Sequence, residues 1–125
     1  MILDTSALSA FADGDPRLQR IVEVGSELSL PVIVLGEYLF GTHQSRWRAR
    51  YQQWLDANLA LFDLLFVGLA TARYYAEIRR ELRTLGKPIP SNDLWIAALA
   101  REHRLPLVSL DQHFEAVPGL RVLSW

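Results

Sequence analysis

The stretch "SNDLWIAALAREHRLPLVSLD", residues 91–111, decides the fold class. Its core, "LWIAALA" at residues 94–100, is apolar around the whole helical circumference, so the helix it predicts belongs in an interior. Ser91 stands where a helix cap is wanted. The short apolar run at residues 105–110 then reads as a strand, with Asp111 at its end. A buried helix followed at once by a buried strand is the signature of αβ alternation around a parallel sheet.

The same alternation extends outward in both directions. Upstream, Tyr75, Ile78, Leu82 and Leu85 mark one face of a long helix that stops at Gly86, and "KPIPSND" is the loop that follows. Residues 61–67 read as a strand, and residues 46–58 as a helix carrying Trp47, Tyr51, Trp54 and Leu55. "PVIVLGEYLFG", residues 31–41, reads as a helix with Pro31 at its first position and Gly41 just past its end. Residues 28–30 form a short strand. Residues 16–24 and 5–13 are helices separated by Gly14-Asp15, and residues 1–3 are the first strand, ending at Asp4. Downstream, "QHF" begins a helical turn and residues 120–123 close the sheet.

Composition narrows the function classes. The chain has 125 residues, half of them hydrophobic, which suits a single domain over residues 1–125 with a real core. A net charge of −1 argues against a polyanion binder that is basic throughout. The absence of cysteine removes disulfides, thiolate zinc sites and cysteine nucleophiles together. No signal peptide or membrane-length apolar run is seen, so the expectation is a cytoplasmic protein that does not engage a membrane.

Four acids stand at informative positions. Asp4 and Asp111 each follow a strand, and ligands of open parallel sheets bind at that carboxyl edge. Asp93 falls in the first turn of the buried helix. Each of these three has an ordinary reading as a helix-capping or first-turn acid. Glu37 does not. Its helical neighbours are Ile33, Val34, Phe40 and Gly41, and no basic residue lies within several positions. A carboxylate on that face needs its charge offset from elsewhere in the fold. Clustered carboxylates without Cys or His ligands suit a hard divalent ion, Mg²⁺ or Mn²⁺.

Together these motifs resemble the PIN-domain family, and within it the small VapC-type toxin ribonucleases of type II toxin–antitoxin modules. "ILDTSAL" carries the first acid, "PVIVLGEYLFG" the second, and "IPSNDLWIAALAREHRLPLVSLDQHF" the third and fourth. The resemblance implies a three-layer α/β/α fold with a central parallel sheet of four to five strands. It implies a Mg²⁺- or Mn²⁺-dependent endoribonuclease in which Asp4, Glu37, Asp93 and Asp111 hold one or two ions, Asp4 and Asp93 foremost. Water activated by the metal would then attack the phosphodiester, leaving a 5′-phosphate and a 3′-hydroxyl. Thr5, Ser6, Asn92 and Ser109 would support these acids or contact phosphate. The implied partners are RNA, such as tRNA or ribosomal RNA, and a VapB-like antitoxin that covers the acidic cleft.

The middle of the chain supplies a candidate RNA surface. Between His43 and Pro90 lie Arg46, Arg48, Arg50, Arg73, Arg79, Arg80, Arg83 and Lys87, against Asp56, Asp63, Glu77 and Glu81. Phosphate contact and an ordinary solvated face with ion pairs are both open readings. Trp47, Tyr51 and Trp54 read as core or dimer interface in preference to a base-stacking platform, and the aromatic and apolar helices suggest a homodimer. His43, His103 and His113 show no metal-ligand spacing, and His113 reads as a solvated or capping residue near Asp111. Other functions compete: an RNA-processing nuclease without an antitoxin, a non-catalytic module on the same fold, or an aspartyl-phosphate protein. The last is disfavoured because Thr5 and Ser6, not a second acid, follow Asp4.

Overall fold

Apolar stretches too short to bury themselves pair here into one sheet. In the computed structural model, which describes residues 1–24 and 27–125, the strands are Ile2–Leu3 (β1), Leu28–Pro31 (β2), Phe62–Leu65 (β3), Leu107–Val108 (β4) and Val122–Leu123 (β5). They run parallel in the order β3-β2-β1-β4-β5, with Ile2 opposite both Ser29 and Leu107. Successive residues of a strand point to opposite faces. Ile2 and Leu3, like Leu107 and Val108, are all fully buried, so both faces of the sheet are covered. That is why these strands read as continuous apolar runs rather than alternating ones.

The covering helices are Thr5–Ala12 (α1), Pro16–Val24 (α2), Val32–His43 (α3), Arg48–Asn58 (α4), Leu69–Thr84 (α5) and Ser91–His103 (α6), giving a three-layer α/β/α arrangement. Helix α6 is the interior helix that its composition predicts. Leu94, Ile96 and the run Ala97 to Ala100 are all buried, and its alanines let α5 pack closely. Tyr75 of α5 stacks on Trp95 of α6 with ring centroids 4.1 Å apart. No helix among the described residues is long and apolar enough to cross a membrane.

Several boundaries differ from the sequence reading. Pro31 is the last residue of β2, paired in register with Leu65, and not the first residue of the helix. Gly41 lies inside α3, which runs on to His43 with no left-handed glycine at its end. Ser91 is the first residue of α6 and makes no cap hydrogen bond; Pro90 precedes it. Strand β3 shrinks to Phe62–Leu65 because residues 59–61 close a 3₁₀ turn, while Phe66 and Val67 emerge into solvent. Strand β4 keeps only two residues, and Pro106 before it has no N–H to offer a ladder. Arg104 ends α6 in the left-handed region at φ 54°.

The aromatic stripe divides. Tyr51 and Trp54 lean on the core, Trp54 edge-on to Phe11 at 5.6 Å. Trp47 precedes α4, stands half exposed, and carries the Arg46 guanidinium 4.9 Å from its ring centroid.

Candidate metal centre

The connections leave β1 toward β2 on one side, while β4 returns on the other. The sheet therefore has its switch point between β1 and β4, where ligands of parallel sheets bind. Asp4 sits at that point. It is the N-cap of α1, and it is buried: Oδ1 accepts from the Ala7 amide at 2.8 Å and from Ser6 Oγ at 2.6 Å. Ser109, two residues before Asp111, donates its hydroxyl to Asp4 Oδ2. The Ser109 oxygen in turn accepts the Asp111 amide at 2.9 Å, so one hydroxyl ties the end of β1 to the end of β4. Ser6 Oγ accepts the Leu110 amide at 3.3 Å and adds a second tie. Each carboxylate oxygen can take two partners. Oδ1 is filled, and Oδ2 keeps room for a cation.

Asp93 reaches the same edge from the first turn of α6. Asp111 caps the short turn Gln112–Ala116 by accepting the His113 amide at 2.9 Å. The capping readings of Asp4 and Asp111 are therefore correct, and they do not compete with a second role. His113 Nδ1 lies 3.0 Å from Asp93 Oδ2 and 3.1 Å from Asp111 Oδ1. These three side chains each bring one donor atom within 4.8 Å of the others. The sequence reads His113 as solvated and near Asp111; its side chain is indeed half exposed, and it also bridges the two acids. Its position two residues after Asp111 was the available signal. The 20-residue gap to Asp93 hid the other half of the bridge.

Glu37 projects from α3 toward these acids. Its Oε1 is buried without a hydrogen-bond partner, and so is the neighbouring hydroxyl Thr5 Oγ1. Burial raises the Glu37 pKa first, and the charges of Asp93 and Asp4 raise it further, while Thr5 and Asn92 hold it down in part. Asp93 is raised by burial and by Asp111 and Asp4, against the opposing contact with His113. Asp4 is raised by burial and by Asp111, against its three hydrogen bonds. Asp4, Glu37 and Asp93 are thus each raised in part by a neighbouring acid.

This arrangement fits a divalent ion. Asp93, Asp111 and His113 converge, Asp4 and Glu37 stand outside that trio but close enough to act on Asp93 or be acted on by it, and Glu37 Oε1 is left buried without a partner. A cation would relieve the mutual upward pressure on the acids. The other candidate residues fall beside the cluster: Ser6 and Ser109 on Asp4, Thr5 and Asn92 near Glu37.

The basic residues of the middle segment lie at the surface. Arg46, Arg48, Arg50, Arg73, Arg79, Arg80, Arg83 and Lys87 are all exposed, and among the described residues none forms an ion pair. Lys87 lines a groove of about 520 Å³ together with Asp111 and His113.

Comparison with known proteins identifies the fold. The sequence profile of the PIN domain matches residues 1–120. Ribonuclease VapC2 of Rickettsia felis is 27% identical over 129 residues, covering 99% of this chain and 96% of that protein. Ribonuclease VapC5 of Mycobacterium tuberculosis is 30% identical over 121 residues, covering 94% and 87%. Among solved structures, VapBC2 from Rickettsia felis bound to a DNA fragment from its promoter contains a chain that superposes with a TM-score of 0.88. That chain is 26% identical to this one, and the match covers 99% of this chain and 97% of the other.

Proposed function

This chain belongs to the PIN-domain family, and on that premise we propose that it is a Mg²⁺- or Mn²⁺-dependent endoribonuclease, the toxin partner of a VapB-like antitoxin. The observation that carries the reading is the acidic edge itself, with a buried glutamate oxygen left without a partner. Two relatives of matching length are named ribonucleases, and a structural neighbour comes from a VapBC assembly.

Asp4, Glu37, Asp93 and Asp111 are the residues to hold one or two ions. A divalent ion held there supplies charge neutralisation for the scissile phosphate and lowers the pKa of a coordinated water. The chain supplies position. Ser6, Ser109 and the Ala7 amide fix the Asp4 carboxylate, so its free lone pair has one direction. His113 spans Asp93 and Asp111 and keeps their side chains together. Thr5 and Asn92 stand beside Glu37, where a phosphate oxygen would arrive. With water as the attacking group, cleavage leaves a 5′-phosphate and a 3′-hydroxyl.

The unpaired arginines and Lys87 supply phosphate contacts for a structured RNA, tRNA or ribosomal RNA, in the cytoplasm. An antitoxin segment lying over the acidic edge would block it, and an arginine there would satisfy the carboxylates. Exposed Phe40, Phe66 and Leu69 supply apolar surface for a homodimer.

The test is cleavage of total tRNA and ribosomal RNA by purified protein in Mg²⁺, Mn²⁺ or EDTA. Wild type should cut with either metal and fall silent in EDTA, and Asp93→Asn should lose at least about a hundredfold in rate. Metal-independent cutting, or an undiminished Asp93→Asn variant, would overturn the metal-centre assignment. Expression without an antitoxin should arrest growth, and Asp4→Asn should relieve the arrest.

A further inference from the structure

A groove of about 250 Å³ opens beside Glu37 and runs away from the acidic edge between α1 and α3. Packed helices normally fill such space with apolar side chains. Here α1 offers Thr5, Ser9 and Asp13, spaced four residues apart and so on one face. Opposite them stand Tyr38 and Gly41 of α3, and Tyr51 of α4 closes the far end. The Tyr51 hydroxyl donates to Asp13 Oδ1 at 3.0 Å, which fixes the ring and leaves Asp13 Oδ2 free to accept. From Thr5 to Asp13 the helix rises about 12 Å, comparable with the reach of a nucleotide from phosphate to the far edge of its base.

We propose that this groove is a base-recognition pocket, which takes the nucleobase next to the scissile phosphate with its amino edge toward Asp13. The proposal rests on the ribonuclease reading and deepens it. An aromatic wall with polar groups at its tips suits an unstacked base of RNA. A carboxylate at the far end accepts from the exocyclic amino group of cytosine, adenine or guanine. Uracil presents a carbonyl oxygen where cytosine has its amino group, and so binds more weakly. The partnerless Thr5 hydroxyl stands at the mouth, between base and phosphate.

Gly41 makes the proposal testable without disturbing the fold. A Cβ built there meets nothing within 4 Å, and the residue lies inside a helix where leucine is the better former. Gly41→Leu should therefore fill the groove while leaving melting temperature and Mn²⁺ affinity intact. Two readouts are needed. Cleavage of a random-sequence RNA pool in Mn²⁺, mapped by sequencing the ends, should show amino-bearing bases favoured over uracil by roughly tenfold at one position flanking the cut. Gly41→Leu should abolish that preference and weaken KM by a similar factor. Asp13→Asn should admit uracil, because an amide can also donate. In EDTA, AMP, CMP and GMP should shift the NMR signals of Ser9 and Tyr51 in wild type, UMP should not, and Gly41→Leu should remove the response.

Identical cleavage profiles for wild type and both variants would overturn the pocket. If wild type cuts no RNA, the ribonuclease reading falls separately and the mononucleotide experiment decides. Groove-confined shifts lost in Gly41→Leu support the pocket, and their absence in wild type rejects it.

Discussion

Replacing Glu37 by glutamine removes one charge and changes almost no volume, so it isolates what the acidic edge costs when no metal is bound. Glu37 Oε1 is buried without a partner, and Thr5 Oγ1 beside it is equally unmet. A neutral glutamine escapes the repulsion from Asp93 and Asp4, and its amide can donate where the carboxylate could only accept. Relief of an unsatisfied buried acceptor is worth about 1–2 kcal/mol, so metal-free Glu37→Gln should melt about 3–8 °C above wild type. Metal narrows the comparison. At a hundred times its dissociation constant, Mn²⁺ adds about 2.7 kcal/mol to wild type. A variant whose affinity is about tenfold weaker gains only about 1.4 kcal/mol at the same concentration. The difference roughly cancels the metal-free advantage. Thermal and urea unfolding in EDTA and in Mn²⁺ read both quantities. A glutamine variant that is less stable in EDTA, or that gains as much from Mn²⁺ as wild type, would refute the reasoning.

Other expectations follow from the same contacts. Ser109→Ala takes a donor from buried Asp4 Oδ2 and an acceptor from the Asp111 amide, and urea unfolding should show a loss of about 2–3 kcal/mol. Asp4, Glu37 and Asp93 are all raised above their ordinary values of 3.8, 4.5 and 3.8. The stability they contribute is therefore complete below those values and is lost as pH climbs through each raised one. Metal-free denaturation midpoints should show this contribution falling as pH rises above about 4, and Asp93→Asn should flatten the fall. Gly86 ends α5 at φ +67°, so Gly86→Ala should cost about 1 kcal/mol, whereas Gly36→Ala, inside α3 with open space at its Cβ, should gain about 0.5–1 kcal/mol in the same assay.

The acids were legible because position along a βα unit is a sequence property. An acid just beyond a strand lands near the carboxyl edge, which places Asp4 directly after β1 and Asp111 three residues past β4. The apolar circumference of residues 94–100 likewise announced an interior helix. Boundaries were harder, since they depend on which neighbour claims a backbone group. Pro31 fits either a strand end or a first helical turn, and its pairing with Leu65 decides. Gly41 has the chemistry of a terminator, yet it sits within the last turn of α3 and leaves space beside Tyr51 and Asp13. Ser91 is a good cap by type, but α6 has already begun there. The bridging role of His113 was hidden because it requires a turn after β4 to meet the start of α6 in space. Nor does any local pattern reveal that Glu37 Oε1 lacks a partner. That follows only from what every other element brings, or fails to bring, to its side.

The central claim is that the carboxyl edge of this sheet holds a divalent ion between Asp4, Glu37, Asp93 and Asp111. Anomalous diffraction from crystals soaked in Mn²⁺ tests it directly. The account predicts one or two manganese peaks within coordination distance of these carboxylates, with Glu37 Oε1 or Asp4 Oδ2 among the ligands, and loss of the peak in Asp93→Asn crystals. Manganese bound only elsewhere, or none at saturating concentration, would contradict it.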